Sequence, residues 1–221
     1  MEQKTLKALT LCPLFRGISL GQLEATIDSV GYKILKFDKK DIYILAGMPY
    51  RHADIVIEGE MVARMVSLSG KSVEVSRLKQ GDIVAPAFIF AKDNLMPVSV
   101  ETETATMILR MSIAGFERLI DTDPVLRHNF IQALSDIDVF LTKKMRILSL
   151  FTVREKVAYF IKEAAGKQGS NVVQLDKSRQ EIAESFGIQK FSLLRTMSEL
   201  SDLGAIKVEG KKITILDRSK L

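Results

Sequence analysis

The chain has 221 residues, of which 47% are hydrophobic, and a formal net charge of +5 at pH 7. This length allows one large domain or two ordinary domains with a sizeable core. No apolar run approaches the roughly eighteen residues of a membrane span, the first residues lack a signal-peptide pattern, and the single cysteine, Cys12, excludes an internal disulfide. We therefore predict a cytoplasmic protein with no membrane partner.

The first half of the chain has the pattern of short helices followed by an antiparallel β unit. Residues 1–31 are helical and turn-rich, and Ser19 is the predicted N-cap of one helix. Between residues 32 and 112, short β-rich runs alternate with turn signals. Glycines punctuate these runs at Gly47, Gly59, Gly70 and Gly81. Several short strands at such spacing predict a closed or sandwiched antiparallel β unit.

A long helix is predicted from Pro124 to Leu150, because proline suits the first turn of a helix and the apolar residues that follow recur at helical spacing. One apolar stripe along it consists of Phe130, Leu134, Ile137, Leu141, Met145 and Leu148. Other apolar residues widen the surface, so the helix must bury two faces. One face can pack on the β unit. The other predicts a homodimer through a second copy of the helix, unless both faces are buried within one chain.

From Phe151 onward the pattern is that of a small helical domain. Ser178 and Glu181 are spaced as a capping box, in which hydroxyl and carboxylate satisfy backbone N–H groups at the start of a helix. Gly187 then separates two helical runs, since glycine readily takes the left-handed conformation that ends a helix. The second run, about residues 190–203, places Leu193, Leu194, Met197 and Leu200 on one stripe.

The segment after these helices, Ala205 to Leu216, predicts a β-hairpin with lysines at its tip. Two short helices joined by a glycine turn and followed by a basic hairpin are typical of a winged helix-turn-helix. Residues 151–221 contain 13 Lys and Arg against 9 Asp and Glu, which is most of the excess charge of the chain. Such a basic domain favours nucleic-acid binding, because binding requires neutralised phosphates.

This order of elements resembles the Crp/Fnr family of bacterial transcription factors over essentially the whole chain. The resemblance is carried by LKQGDIV, by SLFTVREKVAYFI and by RQEIAESFGIQKFSLLRTMSELSDLGAI. It implies an α+β fold with an N-terminal antiparallel β-roll (a cyclic-nucleotide-binding-like jelly roll), a long dimerisation helix and a C-terminal winged helix-turn-helix. The expected domains are residues 1–123 for the effector, 124–150 for the dimerisation helix and 151–221 for DNA binding.

The resemblance also implies DNA-contacting residues. Arg179 falls where the family has a phosphate-contacting arginine, and Arg195 where an arginine often reads a base. Lysine and arginine donate to guanine O6 and N7, whereas glutamine suits adenine. The complete predicted set is Arg179, Gln189, Lys190, Ser192, Arg195, Lys211 and Lys212. Phe191 departs from the pattern, because many relatives have a glutamate there that reads cytosine. Two alternatives are open for it: contact with a thymine methyl, or burial in the core.

The effector region departs from the residues of cyclic-AMP-binding relatives. Those relatives carry a Gly-Glu pair and an Arg-Ser/Thr-Ala triplet, for the ribose and the cyclic phosphate. No arginine lies between Arg77 and Arg110 in this chain. Burying a phosphate without a paired cation is costly, so cyclic AMP is not the expected effector unless Lys92 or a second copy supplies the cation. The predicted pocket, which is apolar, consists of Ala85, Pro86, Phe88, Met96, Pro97 and Val98.

Three hypotheses for the effector stay open: haem, another apolar or small ligand, and no ligand. PVSVETETATMILRMS and KMRILSLFTVREKV most resemble the subgroup that governs nitrosative-stress genes such as the hybrid-cluster protein, and some of that subgroup bind haem. Candidate axial ligands are His52, His128, Met48, Met96 and Cys12, none of them in a diagnostic motif. The alternative for His52 is a loop residue, and that for His128 a surface or interface residue. One cysteine cannot hold a four-thiolate iron–sulfur cluster.

An enzyme is not expected. SLSGKS ends like a phosphate-binding loop, but that motif requires a glycine where this chain has Met65. Metal clusters and nucleophile motifs are lacking too. The partners that the resemblance implies are double-stranded DNA with a pseudo-palindromic operator, a second copy of the chain, and RNA polymerase.

Overall fold

The computed structural model describes residues 2–67 and 72–221. Contacts between residues divide the chain into two compact units. The first consists of Met1–Val66 and Val75–Phe140, and the second of Ser67–Glu74 and Leu141–Leu221. The turn predicted around Gly70 lies outside the described residues. Among those described, no helix has both the length and the apolar character needed to cross a membrane.

The first unit is built around two four-stranded sheets. The strands are β1 (Lys33–Phe37), β2 (Ile42–Ile44), β3 (His52–Glu58), β4 (Met61–Val66), β5 (Ser72–Leu78, whose first residues belong to the second unit), β6 (Ile83–Val84), β7 (Ser99–Thr102) and β8 (Thr106–Ser112). One sheet has the order β1-β8-β3-β6 and the other β2-β7-β4-β5. The strand pairs for which the opposing residues are known, such as β3 with β8, are antiparallel. The predicted antiparallel β-roll is therefore confirmed.

Three helices flank these strands: α1 (Gln3–Thr10), α2 (Leu20–Val30) and α3 (Ile113–Thr122). Ser19 caps α2 in a capping box with Gln22, as its position in the sequence predicts. Apolar residues of strands and helices share one core, in which Ile55, Leu109 and Phe116 are fully buried. Each such side chain contributes about 1.5–3 kcal/mol when it leaves water, so this core holds the helices to the sheets.

Helix α4 spans Pro124–Leu150 and contributes residues to both units. Its first part packs into the core of the first unit, where the ring centroid of Phe130 lies 5.1 Å from that of Phe116. Phe130 is therefore not available to a second copy of the helix, although its spacing placed it on the predicted dimer stripe. The division of the chain at residues 123 and 150 stays a prediction.

The second unit is a winged helix-turn-helix. Besides the end of α4 it contains α5 (Val153–Gln168), β9 (Val172–Gln174), α6 (Arg179–Ser185), α7 (Lys190–Asp202), β10 (Ile206–Glu209) and β11 (Lys212–Ile215). Ser178 caps α6 through the predicted capping box with Glu181. Gly187 adopts φ +59°, the left-handed conformation expected between the two helices.

The wing is a three-stranded antiparallel sheet with the order β10-β11-β9. Ile206 pairs with Ile215 and Val208 with Ile213, so the hairpin has the register that the alternation of apolar residues predicts. The third strand, β9, was not predicted from the sequence, because three residues are too short to show an alternation. The core of the unit buries Val157, Ile161, Ile182, Leu193, Met197, Leu200 and Ile213.

Candidate nucleic-acid interface and effector region

Helix α7 exposes one side along its length. Leu193, Met197 and Leu200 are buried on the opposite side, against the core of the second unit. Leu194 was expected on this buried stripe but is 43% exposed. It directly follows the buried Leu193, so its side chain points to a different side of the helix. The exposed side begins at the N-cap, Gln189. Of the predicted DNA-contacting residues in this segment, Gln189, Lys190 and Arg195 are exposed and Ser192 is half-buried.

The guanidinium group of Arg195 lies 3.5 Å from the carboxylate of Glu199, one turn further along α7. Both side chains are largely exposed, and an exposed pair at this spacing contributes only about 0.3–0.5 kcal/mol. Replacing this ion pair by a contact to DNA therefore costs little free energy. Lys190 and Arg195 together place two cationic donors on the exposed side of α7.

Arg179 joins the start of α6 to the tip of the wing. Its Nη2 atom donates to the carbonyl oxygen of Gly210 at 2.8 Å. Its Nη1 atom is buried and has no hydrogen-bond partner among the described residues. Burial lowers the pKa of this guanidinium from its ordinary value. An unsatisfied buried donor costs about 1–3 kcal/mol, and Nη1 has too little exposed surface to reach an anion unless the side chain moves.

The predicted wing lysines, Lys211 and Lys212, are exposed and directly follow Gly210. The link between Arg179 and Gly210 thus brings three of the predicted DNA-contacting residues, Arg179, Lys211 and Lys212, to one place in the second unit. Lys207 and Glu209, on the neighbouring strand, form an exposed ion pair at 2.8 Å.

The predicted effector pocket follows β6. Ala85 has a left-handed conformation with φ +44° and begins a 3-10 turn over Pro86–Phe88. Burial differs among the six residues: Pro86, Met96 and Val98 are buried, Ala85 and Phe88 are half-buried, and Pro97 is exposed. Pro97 therefore does not line an enclosed pocket within this unit, because it is exposed to solvent. Lys92, the alternative source of a cation, is also exposed.

The candidate haem ligands do not form a cluster with the composition of a metal site. His52 is the first residue of β3 and not a loop residue, and it is half-buried. Burial, followed by the charge of Arg110, lowers its pKa, which favours the neutral imidazole at pH 7. His128 and Met48 are exposed, and Met96 is buried in the core. Among the described residues, no group of three His, Cys, Asp or Glu side chains is placed to hold a metal ion.

Cys12, the remaining candidate ligand, is buried in the core of the first unit. Desolvation raises the pKa of its thiol to about 12, and the charge of Asp82 contributes in the same direction. The thiolate is the form that coordinates iron. The position therefore disfavours Cys12 as a ligand.

Sequence reasoning missed a buried polar network beside the effector region. Asp54 on β3 is fully buried and lies opposite Arg110 on β8. Arg110 donates to both carboxylate oxygens, from Nε at 3.0 Å and from Nη2 at 2.7 Å. The hydroxyl of Tyr43 also donates to Asp54. Burial, followed by the charge of Asp54, raises the pKa of Tyr43, so this hydroxyl keeps its proton. A lone aspartate among the apolar residues of β3 was the available signal.

Tyr50 connects this network to the pocket segment. Its hydroxyl donates to the carbonyl oxygen of Val84 at 3.0 Å and lies 3.5 Å from the hydroxyl of Tyr43. The backbone N–H of Tyr50 donates to Asn94, whose side-chain amide donates back to the carbonyl oxygen of Tyr50 at 3.0 Å. Tyr50 is therefore bonded near both ends of the segment that runs from Val84 to Asn94, and it fixes that segment to the β-roll.

Comparisons with known proteins agree with this architecture. Residues 34–123 match the family model of the cyclic nucleotide-binding domain, and residues 155–221 match that of the Crp-like helix-turn-helix domain. The cAMP-activated global transcriptional regulator CRP of Salmonella typhimurium is 22% identical over 186 residues, which cover 82% of this chain and 89% of that protein.

Solved structures resemble the chain over most of its length. The c-di-GMP responsive global regulator CLP of Xanthomonas campestris gives a TM-score of 0.71 at 18% identity, covering 87% of this chain and 98% of that one. A mutant of CooA from Carboxydothermus hydrogenoformans gives 0.69 at 19% identity, covering 86% of this chain and 85% of that one. At these identities the likeness shows the fold.

Proposed function

Because the chain belongs to the Crp/Fnr family of DNA-binding transcription regulators, we propose that it binds a pseudo-palindromic operator as a homodimer, with RNA polymerase as its protein partner. Membership makes the chain a regulator and not an enzyme. The observation that carries the proposal is the exposed side of α7, where Gln189, Lys190 and Arg195 face solvent. This is the part of a helix-turn-helix that contacts base edges.

The residues divide into two roles by their chemistry. Lys190 and Arg195 donate to guanine in the major groove, and Gln189 suits adenine. Arg179, Lys211 and Lys212 contact phosphates, which position the protein on the duplex without reading sequence. The hydrogen bond from Arg179 to the carbonyl oxygen of Gly210, which directly precedes Lys211, supports a common role for these residues. Ser192, which is half-buried, is the remaining contact that we propose.

The DNA proposal is tested by selecting bound sequences from a pool of random duplexes. We expect an enriched site with twofold symmetry, whose half-sites lie about one helical turn, 10 bp, apart. Lys190→Ala should lose most of the enrichment. Recovery of single, unrepeated half-sites would contradict the dimeric mode of binding.

The dimer proposal is supported by apolar side chains that α4 leaves exposed. Leu141 and Met145, one turn apart on the predicted stripe, are 42% and 63% exposed in the single chain. Ile137 and Leu148, on the same stripe, are half-buried, as is Leu134. Exposed large apolar side chains that recur along one side of a helix are typical of an interface. Burying them against a second α4 gains roughly 25 cal/mol per Å².

Sedimentation velocity at micromolar concentration tests the dimer. We expect twice the mass of the chain for the wild type and monomer for Leu141→Glu, because a carboxylate would be buried in the interface. Gln132→Glu is the matched control, since it adds the same charge two and a half turns away, on the opposite side of α4. Monomeric wild type, or a dimeric Leu141→Glu variant, would refute the proposed interface.

For the effector we propose an apolar ligand near Ala85–Val98 or no ligand, and no response to cyclic AMP. By the resemblance to the family, Pro86 and Met96 fall where cyclic-AMP-binding relatives have the ribose-binding glutamate and the phosphate-binding arginine. Arg110, the next arginine along the chain, is bonded to the buried Asp54. Its guanidinium group is therefore engaged, and a cyclic phosphate would have to break that pair.

Two titrations separate the effector hypotheses. Calorimetry with cyclic AMP should give no binding heat at physiological concentrations, and tight binding would refute the assignment of the pocket residues. The resemblance to the nitrosative-stress subgroup leads to the alternative of a haem sensor, and haem addition tests it. A Soret shift that is lost on replacing His52, His128 or Met96 would establish it. If the protein stays colourless after haem addition and still binds its DNA at full strength, the hypothesis of a regulator without haem is supported.

A further inference from the structure

A large aromatic side chain stands exposed at the start of α7. Phe191, the second residue of the helix, is 73% exposed. The sequence allowed this side chain either to turn into the core or to face DNA, and its exposure excludes the core. The ring pairs within the described part of this unit join Tyr159 to Phe151 and to Phe186, and Phe160 to Phe186. Phe191 takes no part in this aromatic cluster.

Phe191 is one of two apolar side chains on the exposed side of α7. Leu194, three residues later, is 43% exposed, and Arg195 lies four residues after Phe191. Residues three and four apart are neighbours on a helix surface. Single exposed apolar residues are ordinary on protein surfaces. An apolar pair beside the cationic side chains of a recognition helix, however, lies where base edges are read.

The chemistry of the major groove indicates what such a pair recognises. Each base pair presents donors and acceptors there, and thymine adds a methyl group at C5, the apolar group of the groove. Phenylalanine has no hydrogen-bonding atom, so it cannot accept from the amino group of cytosine as a carboxylate does. Its ring gains free energy by covering a methyl group and excluding water from both.

We propose that Phe191, with Leu194 beside it, selects thymine at one position of each half-site by contacting the 5-methyl group. The inference rests on the proposed function, because it requires α7 to lie in the major groove. It assigns a base preference to a position of the recognition helix where, by the resemblance described above, the residue type departs from the family pattern. Arg195, on the same side one turn later, reads a nearby base pair.

Deoxyuridine tests the contact, since it differs from thymidine by the methyl group alone. The operator is first selected with the wild-type protein, and each thymine is then replaced in turn. At one thymine per half-site we expect about a fourfold loss of affinity, and about fifteenfold when both half-sites are replaced. Phe191→Ala should bind the thymine and uracil operators equally. Ser198→Ala, exposed further along α7, should keep the wild-type ratio.

The outcomes distinguish this inference from the proposed function. If no duplex is enriched in the selection, the proposed function fails and the inference with it. If an operator is recovered but no deoxyuridine substitution lowers the affinity of the wild type, the inference alone is wrong. The same holds if Phe191→Ala keeps the preference for thymine over uracil.

A change of specificity gives a second, positive test. Phe191→Glu introduces a carboxylate that accepts from the amino group of cytosine. A new selection with this variant should recover the wild-type operator altered at the methyl-sensitive base pair of each half-site, with cytosine in place of thymine on one strand. An unaltered operator would place Phe191 away from the bases and overturn the inference.

Discussion

The β-strands of the first unit and the α7 helix and wing of the second unit use charged side chains in different ways. In the first unit, three arginines of the β-strands are bonded to carboxylates of the same unit. Arg110 is paired with the buried Asp54, and Arg64 lies 2.9 Å from Glu103. Arg77 is similarly placed, 2.9 Å from Glu60. These charges are satisfied within the fold, so they stabilise and position the β-roll.

In the second unit, the cations on α7 and the wing remain exposed. Lys190, Lys211 and Lys212 face solvent, and Arg195 has an exposed partner one turn away. Exposed pairs of this kind contribute little to stability, whereas free or weakly paired cations gain free energy by displacing counterions from a phosphate backbone. The comparison teaches that burial and pairing, more than the number of charges, separate the arginines that hold the β-roll from the cations on α7 and the wing that we propose for DNA binding.

The largest effect is expected from breaking the buried pair in the first unit. Asp54→Asn leaves the guanidinium group of Arg110 without its carboxylate in the protein interior. Removal of one partner of such a pair costs about 3–5 kcal/mol of the free energy of unfolding. Urea unfolding followed by circular dichroism measures this loss.

The control for this experiment is an exposed pair of the same unit. Lys4 and Glu58 form an ion pair with about half of each side chain exposed, so Glu58→Gln should cost less than about 1 kcal/mol. Equal losses for Asp54→Asn and Glu58→Gln would contradict a structural role for the buried pair. Replacing both buried partners, as Asp54→Leu with Arg110→Met, should recover much of the stability.

A second test concerns burial in the first unit, and it uses the thiol of Cys12. With its pKa raised to about 12 by burial, roughly one thiol in ten thousand is ionised at pH 8, and the thiolate is the reactive form. Iodoacetamide at pH 8 should therefore label the native chain more than a hundredfold more slowly than the chain unfolded in urea, as followed by mass spectrometry. Similar rates in the two states would show that the core around Cys12 opens readily.

The exposed side of α7 should show intermediate effects. Arg195→Ala should weaken binding to the selected operator by about 1–3 kcal/mol and relax the preference at a single base pair, because a guanidinium fork reads guanine. Fluorescence anisotropy with labelled duplexes measures the affinity, and a repeated selection measures the preference. An unchanged preference would remove Arg195 from the base-reading residues.

The smallest effect is expected at Arg179. Arg179→Ala should weaken binding to all sequences alike and reduce the slope of log affinity against log salt by about 1, since one phosphate contact is lost. The hydrogen bond to Gly210 adds a second consequence, because the tip of the wing loses an anchor. The Arg179→Lys variant is informative, because it keeps the positive charge but loses the planar guanidinium group and its fork of N–H donors. A change in base preference would argue against a phosphate contact.

Features that depend on neighbours in the chain could be predicted from the sequence. The capping boxes at Ser19 and Ser178, the left-handed Gly187 and the register of the wing hairpin are all set within a few residues. Short-range hydrogen bonds and side-chain alternation determine such features directly. The exposed polar residues at the start of α7 follow from the same helical periodicity.

Features that depend on distant residues could not be predicted in this way. Asp54 and Arg110 are 56 positions apart, and no local pattern links them. They meet because β3 and β8 are neighbours in the sheet with these two residues directly opposite. The strand β9 was missed for a related reason, since its three residues become a strand by pairing with β11.

Sequence periodicity determined which residues share a side of each helix, and the tertiary structure decided what covers that side. Phe130 and Leu141 lie on one predicted stripe of α4, yet Phe130 is buried against Phe116 while Leu141 is exposed. The sequence likewise left two alternatives open for Phe191, contact with a thymine methyl or burial in the core, and the structure exposes it. A helix of 3.6 residues per turn fixes the angle between its side chains, but its rotation toward a core depends on all the elements that pack around it.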